Sequence, residues 1–156
     1  LPEHFRRFGY RTYGLATNIN LGPEIGFDRG FDRFERIGDP TSAEYAGDYA
    51  PAQVLYERLL TWQTEIESSS PYLLYLHFND PHGPLHKREP WYSRFAEHEG
   101  RTRAAYDSEI AYIDFYLEKI AQRFHFDDAI VLIVSDHGNA YGEHGVRGHG
   151  PQTGLY

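Results

Sequence analysis

The segment Asp127–Gly138, which reads DDAIVLIVSDHG, decides the predicted fold. Its centre, Ala129–Val134, is a continuous apolar run of strand length that is rich in β-branched residues. Such a run is typical of a strand buried on both faces of a parallel sheet. The run stops before Asp136 and His137, so a carboxylate and an imidazole follow the end of the predicted strand. Since ligands bind at the carboxyl ends of strands in open α/β sheets, these two residues are candidates for chemistry.

A structural role is the alternative for each of these side chains. An Asp at a strand end often caps a helix or forms a turn, and an isolated His is often structural. Here, however, His144 and His149 follow within a glycine-rich stretch that is poor in apolar residues. Four ionisable or metal-binding side chains so close together favour a functional site over a core.

Two further strands are predicted upstream, at Tyr10–Ala16 and Tyr72–Phe78, and each is followed by a polar loop. The first loop carries Asn18. The second carries Asp80 and His82 among two prolines and a glycine, which stiffen it. Right-handed crossovers bring the ends of parallel strands to one edge of a sheet, so we expect the three loops to converge.

Helical spacing of apolar residues predicts helices at Pro2–Phe8, Pro51–Ile66 and Tyr106–Phe124, and the alternation with strands predicts an α/β fold. Four acidic residues of the last helix lie mostly off its apolar stripe and are expected on a solvated face: Asp107, Glu109, Asp114 and Glu118. Irregular segments are expected at 26–34, where Phe27, Phe31 and Phe34 would anchor a loop, and at 39–48 and 89–99.

Composition excludes several classes of protein. The chain has 156 residues and a net charge of −8, with no cluster of Lys and Arg, which argues against nucleic acid as a partner. No apolar run approaches the ~20 residues of a membrane span, and no signal peptide is visible. Without Cys there is no disulfide or thiolate metal site. The chain opens inside a predicted helix and contains no Met, so we expect an internal fragment of a longer protein.

Several motifs together resemble the sulfatase family of the alkaline phosphatase superfamily. They are PYLLYLHFNDPHGP at 71–84, VSDHG at 134–138 and GEHG at 142–145, supported by FGYRT at 8–12 and GFDRGFD at 26–32. The resemblance implies a partial alkaline-phosphatase-like sandwich, an α/β fold with a mostly parallel central sheet flanked by helices. It also implies that residues 1–156 are an incomplete single catalytic domain, truncated at both ends.

The resemblance further implies roles for individual residues. Asp136 and His137 match a metal-ligand segment, where calcium is usual and manganese, magnesium or zinc is an alternative. His82 matches a histidine that contacts the ester and protonates the leaving group. His149 takes the place of a sulfate-binding lysine, which would make its role pH-dependent. Asn18 would donate a neutral hydrogen bond to the substrate.

The chain lacks the family's Cys/Ser-x-Pro-x-Arg motif, whose first residue becomes formylglycine, and its acidic pair of metal ligands. Both are expected on the amino-terminal side of Leu1, so this polypeptide alone is expected to be inactive. The parent protein is expected to hydrolyse a small-molecule or glycan sulfate ester and to need a formylglycine-generating enzyme. A periplasmic or extracellular location is common in the family, but the sequence does not decide it.

Two other functions remain open. The same superfamily site serves phosphodiesterases and phosphonate monoester hydrolases, which a Thr nucleophile would indicate. A non-catalytic binding domain on the same fold is the third interpretation, since fold does not imply function. Retention of Asp136, His137 and His82 together argues against that third interpretation.

Overall fold

The computed structural model describes residues 1–38, 49–98, 100–142 and 145–149. Leu1–Phe124 forms one compact unit, and His125–Tyr156 forms a second. The predicted loop at 39–48 lies outside the described residues. The described helices include none that is long and apolar enough to cross a membrane.

The first unit contains both helices and strands. Its helices are α1 (Pro2–Arg7), α2 (Ala52–Leu60), α3 (Gln63–Glu67), α4 (Trp91–Ala96) and α5 (Arg101–Arg123), and its strands are β1 (Arg11–Ala16), β2 (Arg33–Arg36) and β3 (Tyr72–His77). In the second unit, β4 (Ala140–Tyr141) and β5 (Arg147–Gly148) form a short antiparallel pair.

The described strands of the first unit form a parallel sheet in the order β2-β1-β3. Every residue of β1 after Arg11 is buried, as expected for a central strand covered on both faces. The register places Ala16 opposite both Arg36 and His77, so the three carboxyl ends are nearly level. This agrees with the mixed α/β fold and parallel sheet predicted from the sequence.

Helices α2 and α3 supply much of the core beside the sheet. Leu55 and Leu59 of α2 and Ile66 of α3 are fully buried. A single helix was predicted here, but it breaks at Thr61 and Trp62, where Trp62 is buried and carries the Arg33 guanidinium 4.2 Å above its ring. Helix α5 contacts α2 and α4, and its first turns begin before the predicted start.

Strand β2 was not predicted, because its segment was interpreted as an irregular loop. Phe27, Phe31 and Phe34 do cluster, with Tyr75 of β3 completing the aromatic group. The close approach depends on Gly14 of β1, where a Cβ atom would lie 2.7 Å from the Phe34 ring. Aromatic packing across a glycine therefore supports an edge strand in which three of the four residues are charged.

The prediction of a buried strand at Ala129–Val134 is wrong for the described structure. The run forms no strand, and Ile130, Leu132 and Val134 are 94%, 84% and 89% exposed. β-branched composition favours an extended backbone, but a strand also needs a partner for its ladder hydrogen bonds. The described residues offer no such partner to residues 129–134.

Matched leucine truncations separate the packed core from this exposed run. Leu55→Ala removes a fully buried side chain and should lower the free energy of unfolding by ~2–5 kcal/mol. Leu132→Ala removes a side chain that is 84% exposed and should change it by less than ~0.5 kcal/mol. Urea denaturation of the chain measures both. A loss at Leu132 comparable to that at Leu55 would show that the run is packed after all.

Candidate functional site

Thr17 joins the carboxyl ends of β1 and β3. Its backbone N–H and its hydroxyl both donate to the carbonyl of His77, over 3.1 and 3.2 Å. The hydroxyl oxygen accepts the N–H of Asn79 over 2.9 Å. Because Thr17 is fully buried and links both strand ends, the loops that carry Asn18 and His82 leave the sheet side by side.

Asn18 uses part of its side chain to shape its own loop. The Oδ1 atom accepts the N–H of Asn20 over 2.9 Å, and the backbone carbonyl accepts the N–H of Leu21 over 3.1 Å. This arrangement is an Asx turn. The oxygen is therefore engaged, and the NH₂ group is the part of Asn18 that can donate to an anionic ligand.

His82 is exposed at the end of a turn that begins at Asn79, whose carbonyl accepts the His82 N–H over 2.9 Å. The ring Nδ1 lies 2.8 Å from the carbonyl of Gly83. Since a carbonyl can only accept, this contact assigns the proton to Nδ1 in the neutral ring. The Nε2 atom then carries the lone pair of the neutral ring.

Asp80, two residues before His82, is fully buried. Its Oδ1 accepts the N–H of Ala52 in the first turn of α2 over 2.9 Å, and its backbone carbonyl accepts the hydroxyl of Tyr49. An Arg88 nitrogen lies 3.6 Å from Oδ1. Among the described residues, no donor reaches Oδ2. The Asp80 carboxyl group, at the beginning of the loop that carries His82, is therefore shielded from solvent.

Glu109 lies on the buried side of α5, although its position in the helix predicted a solvated face. It is fully buried, and its carboxylate accepts the N–H of His86 over 2.8 Å, the Tyr49 hydroxyl over 3.1 Å and Arg88 Nε over 2.7 Å. Its burial is possible because these donors replace water around the charge. Small residues beside it, Ala104, Ala105 and Ser108, are the sequence signal that this helix face is closely covered.

The buried cluster consists of four side chains that contact one another: Tyr49, Asp80, Arg88 and Glu109. Burial raises the pKa of Asp80 to about 6; the Ala52 hydrogen bond lowers it, the Glu109 charge raises it, and Arg88 lowers it. Burial also raises the pKa of Tyr49, which stays a hydrogen-bond donor. Burial lowers the pKa of Arg88, but its hydrogen bond and charge contact with Glu109 outweigh this and raise it, so Arg88 remains a cation.

The second unit holds Asp136 and His137. The His137 N–H donates to Asp136 Oδ1 over 3.0 Å, and Asp136 Oδ2 lies 3.8 Å from His137 Nε2. Because His137 Nδ1 lies 2.9 Å from the carbonyl of Gly138, Nδ1 carries the proton in the neutral ring and Nε2 carries the lone pair. Both Asp136 Oδ2 and His137 Nε2 are therefore atoms that can bind a cation.

His149 stacks on His137, with ring centroids 4.1 Å apart and an interplanar angle of 28°. Its Nδ1 lies 3.3 Å from Asn139 Oδ1. Pairing of Ala140 with Gly148 in the β4–β5 hairpin places Asn139 and His149 across from each other. The hairpin therefore gathers the three residues predicted for this segment, Asp136, His137 and His149.

Asp136 and His137 fit only part of a metal site. The described residues contain no group of three or more His, Cys, Asp or Glu side chains placed to hold a metal ion. Calcium takes about six to eight oxygen ligands, so the two residues would supply a fraction of its shell. His144, another candidate from the sequence, lies outside the described residues. The orientation of His137, with Nδ1 on a backbone carbonyl, is the one that metal-binding imidazoles use.

Ionisation of Asp80 should make the chain less stable as pH rises. The folded state holds the Asp80 proton up to about pH 6, whereas an unfolded Asp releases it near pH 4. Between these values the folded state binds more protons, so its stability falls as pH increases. Asp80→Asn cannot ionise, and its free energy of unfolding relative to the unmodified chain should rise by roughly 1–3 kcal/mol between pH 4 and 7.

Urea denaturation of both chains at pH 4, 5, 6 and 7 measures that difference. The unmodified chain serves as the control at each pH, which cancels the titration of all other groups. If the difference in free energy of unfolding stays constant or falls over this range, burial does not raise the pKa of Asp80.

The profile of the sulfatase family matches residues 1–155. Among solved structures, the lipoteichoic acid synthase LtaP from Listeria monocytogenes is similar, with a TM-score of 0.53 and 18% identity over 81% of this chain and 34% of that chain. The chain thus spans about a third of the length of LtaP, and at this identity the likeness shows the fold alone. The comparison with curated proteins gave no match. With the match covering nearly every residue, the chain belongs to the sulfatase family.

Proposed function

We propose that the protein containing this chain is a metal-dependent sulfuric ester hydrolase, acting on a small-molecule or glycan sulfate ester. The observation that carries the proposal is the family match over residues 1–155. The neighbouring loops that carry Asn18 and His82 at the ends of parallel strands support it, because such strand ends are where α/β folds bind ligands.

His82 is the proposed proton donor to the leaving alcohol. Its Nδ1 is engaged with the carbonyl of Gly83, so Nε2 is the atom that would pass a proton to the ester oxygen as the bond from sulfur to that oxygen breaks. Its exposed position after a stiff turn suits contact with a substrate. The NH₂ group of Asn18, in the adjacent loop, would donate to a sulfate oxygen.

Asp136 and His137 are the proposed ligands of a divalent cation, with calcium first and manganese, magnesium or zinc as alternatives. When bound, the cation would stabilise negative charge on the sulfate group. The closeness of Asp136 Oδ2 and His137 Nε2, 3.8 Å apart, supports the assignment because both atoms can bind one cation. His149, stacked on His137, would contact sulfate oxygens and would do so more strongly when protonated.

The nucleophile is proposed to be a formylglycine outside residues 1–156, made by a formylglycine-generating enzyme, and it supplies the oxygen that bonds to sulfur. The chain contains no Cys and no Cys/Ser-x-Pro-x-Arg motif, and it spans 34% of the LtaP chain. Residues 1–156 are therefore proposed to form part of one catalytic domain, with the remaining ligands contributed by other segments.

A phosphodiesterase or phosphonate monoester hydrolase is the second candidate. The specific observation is that LtaP, which has a similar fold, is named for the synthesis of lipoteichoic acid and not for sulfate ester hydrolysis. Since one fold can host several reactions, the fold leaves both tetrahedral anions as substrates. The identity of the nucleophile, Cys or Ser in the motif against Thr, separates them.

The protein that contains this chain, produced with a formylglycine-generating enzyme, should hydrolyse phenyl sulfate faster than a phenyl phosphodiester. His82→Ala should lower sulfate release by about 10²–10⁴-fold, the range of general acid catalysis. Asp136→Ala and chelation should each abolish metal-dependent turnover. His98→Ala is the matched control, because His98 is an exposed histidine beside Glu97 and should leave turnover unchanged.

Preferential cleavage of the phosphodiester would transfer the assignment to the second candidate. Absence of turnover of either ester despite bound metal would favour a binding domain on the same fold.

A further inference from the structure

We propose that Glu109 and Arg88 are positioning residues that, together with Asp80, hold the segment 80–88 so that His82 meets the substrate. The proposal rests on the function proposed above for His82. It concerns residues that do not touch the substrate but determine where the His82 side chain stands.

Both ends of the segment 80–88 are tied to buried groups. At the first end, Asp80 accepts from Ala52 through Oδ1 and from the Tyr49 hydroxyl through its carbonyl. These contacts attach the residue two positions before His82 to the beginning of α2. The position of the first end is therefore fixed relative to α2.

At the second end, Arg88 is held in three ways. Its Nε donates to Glu109 Oε2 over 2.7 Å, its backbone N–H donates to Ser108 Oγ over 3.1 Å, and its guanidinium lies 4.3 Å from the centre of the Tyr112 ring. These contacts attach the second end of the segment to α5.

The two ends are also tied to each other. An Arg88 nitrogen lies 3.6 Å from Asp80 Oδ1, and the Tyr49 hydroxyl contacts both the Asp80 carbonyl and Glu109. The segment is thus closed at its base, where the buried cluster joins its two ends, while His82, its third residue, is exposed. A closed base limits the positions that a nine-residue segment can take, which lowers the entropy of orienting the imidazole for proton transfer.

Stability alone is a weak reason for such a cluster. Asp80 and Glu109 are fully buried, and removing charges from water is costly. Apolar side chains of similar volume therefore often stabilise a fold as much as a buried ion pair does. Directional hydrogen bonds, by contrast, define the path of a backbone. The hydrogen bonds of the buried cluster therefore serve to fix the backbone near His82 more than to stabilise the fold.

The test compares two sulfate esters in the complete protein. Phenyl sulfate has a poor leaving group that needs a proton, whereas 4-nitrophenyl sulfate releases a stable anion that needs little help. His82→Ala should therefore lower kcat much more for phenyl sulfate than for 4-nitrophenyl sulfate. Glu109→Gln should show the same pattern in weaker form, with kcat for phenyl sulfate reduced about 10–100-fold and for 4-nitrophenyl sulfate less than ~3-fold. A purely structural loss would lower both rates in the same proportion.

A double variant makes the link to His82 explicit. If Glu109 acts through His82, then Glu109→Gln should slow phenyl sulfate hydrolysis in the presence of His82 and add little in the His82→Ala background. The matched control is Asp107→Asn, an acidic residue of the same helix that pairs with Arg103 and should leave both rates unchanged. Arg88→Lys keeps the charge but loses the planar fork, so it tests the same end of the segment if Glu109→Gln does not fold.

The outcomes separate this inference from the proposed function. If His82→Ala shows the leaving-group dependence but Glu109→Gln and Arg88→Lys do not, or if the effects of Glu109→Gln and His82→Ala simply multiply, the positioning role is overturned while the function stands. If His82→Ala lowers both rates equally, the proton-donor role of His82 is wrong, and the positioning role falls with it.

Discussion

Parallel pairing of β1 with a strand on each side is the constraint on which the rest of the first unit depends. The pairing levels the carboxyl ends of the strands, with Ala16 beside both Arg36 and His77. It also requires cover on both faces of β1, which the aromatic group around Gly14 and the helices α2 and α3 provide. The loops that carry Asn18 and His82 leave the sheet side by side because they follow the adjacent parallel strands β1 and β3.

The strands β1 and β3, the long helix α5 and the loops that follow the strands could be predicted from the sequence, because apolar periodicity and breaking residues report directly on local structure. Strand β2 could not, since three of its four residues are charged and its support comes from Phe31 and Phe34 packing over Gly14. That contact joins segments about twenty residues apart, and no local pattern encodes it.

The same limit applies to the candidate site. Asp136, His137, His82 and His149 could be named as candidates from their residue types and motifs alone, and their roles stay predictions. Glu109 was assigned to solvent because a charged residue usually is, and only its three donors, on Tyr49, His86 and Arg88, make its burial possible. Ala129–Val134 shows the reverse case, since an apolar run indicates what a strand prefers but not whether a partner strand is within reach.

The hydrogen bonds of Thr17 couple the motions of the two loops that follow β1 and β3. Its hydroxyl both donates to β3 and accepts from the first residues of the loop beyond it, so neither strand end can loosen without breaking a buried bond of the other. The two loops are therefore expected to fluctuate together. A ligand that immobilises the loop of His82 would also immobilise the loop of Asn18, and the conformational entropy lost on the second contact would be small.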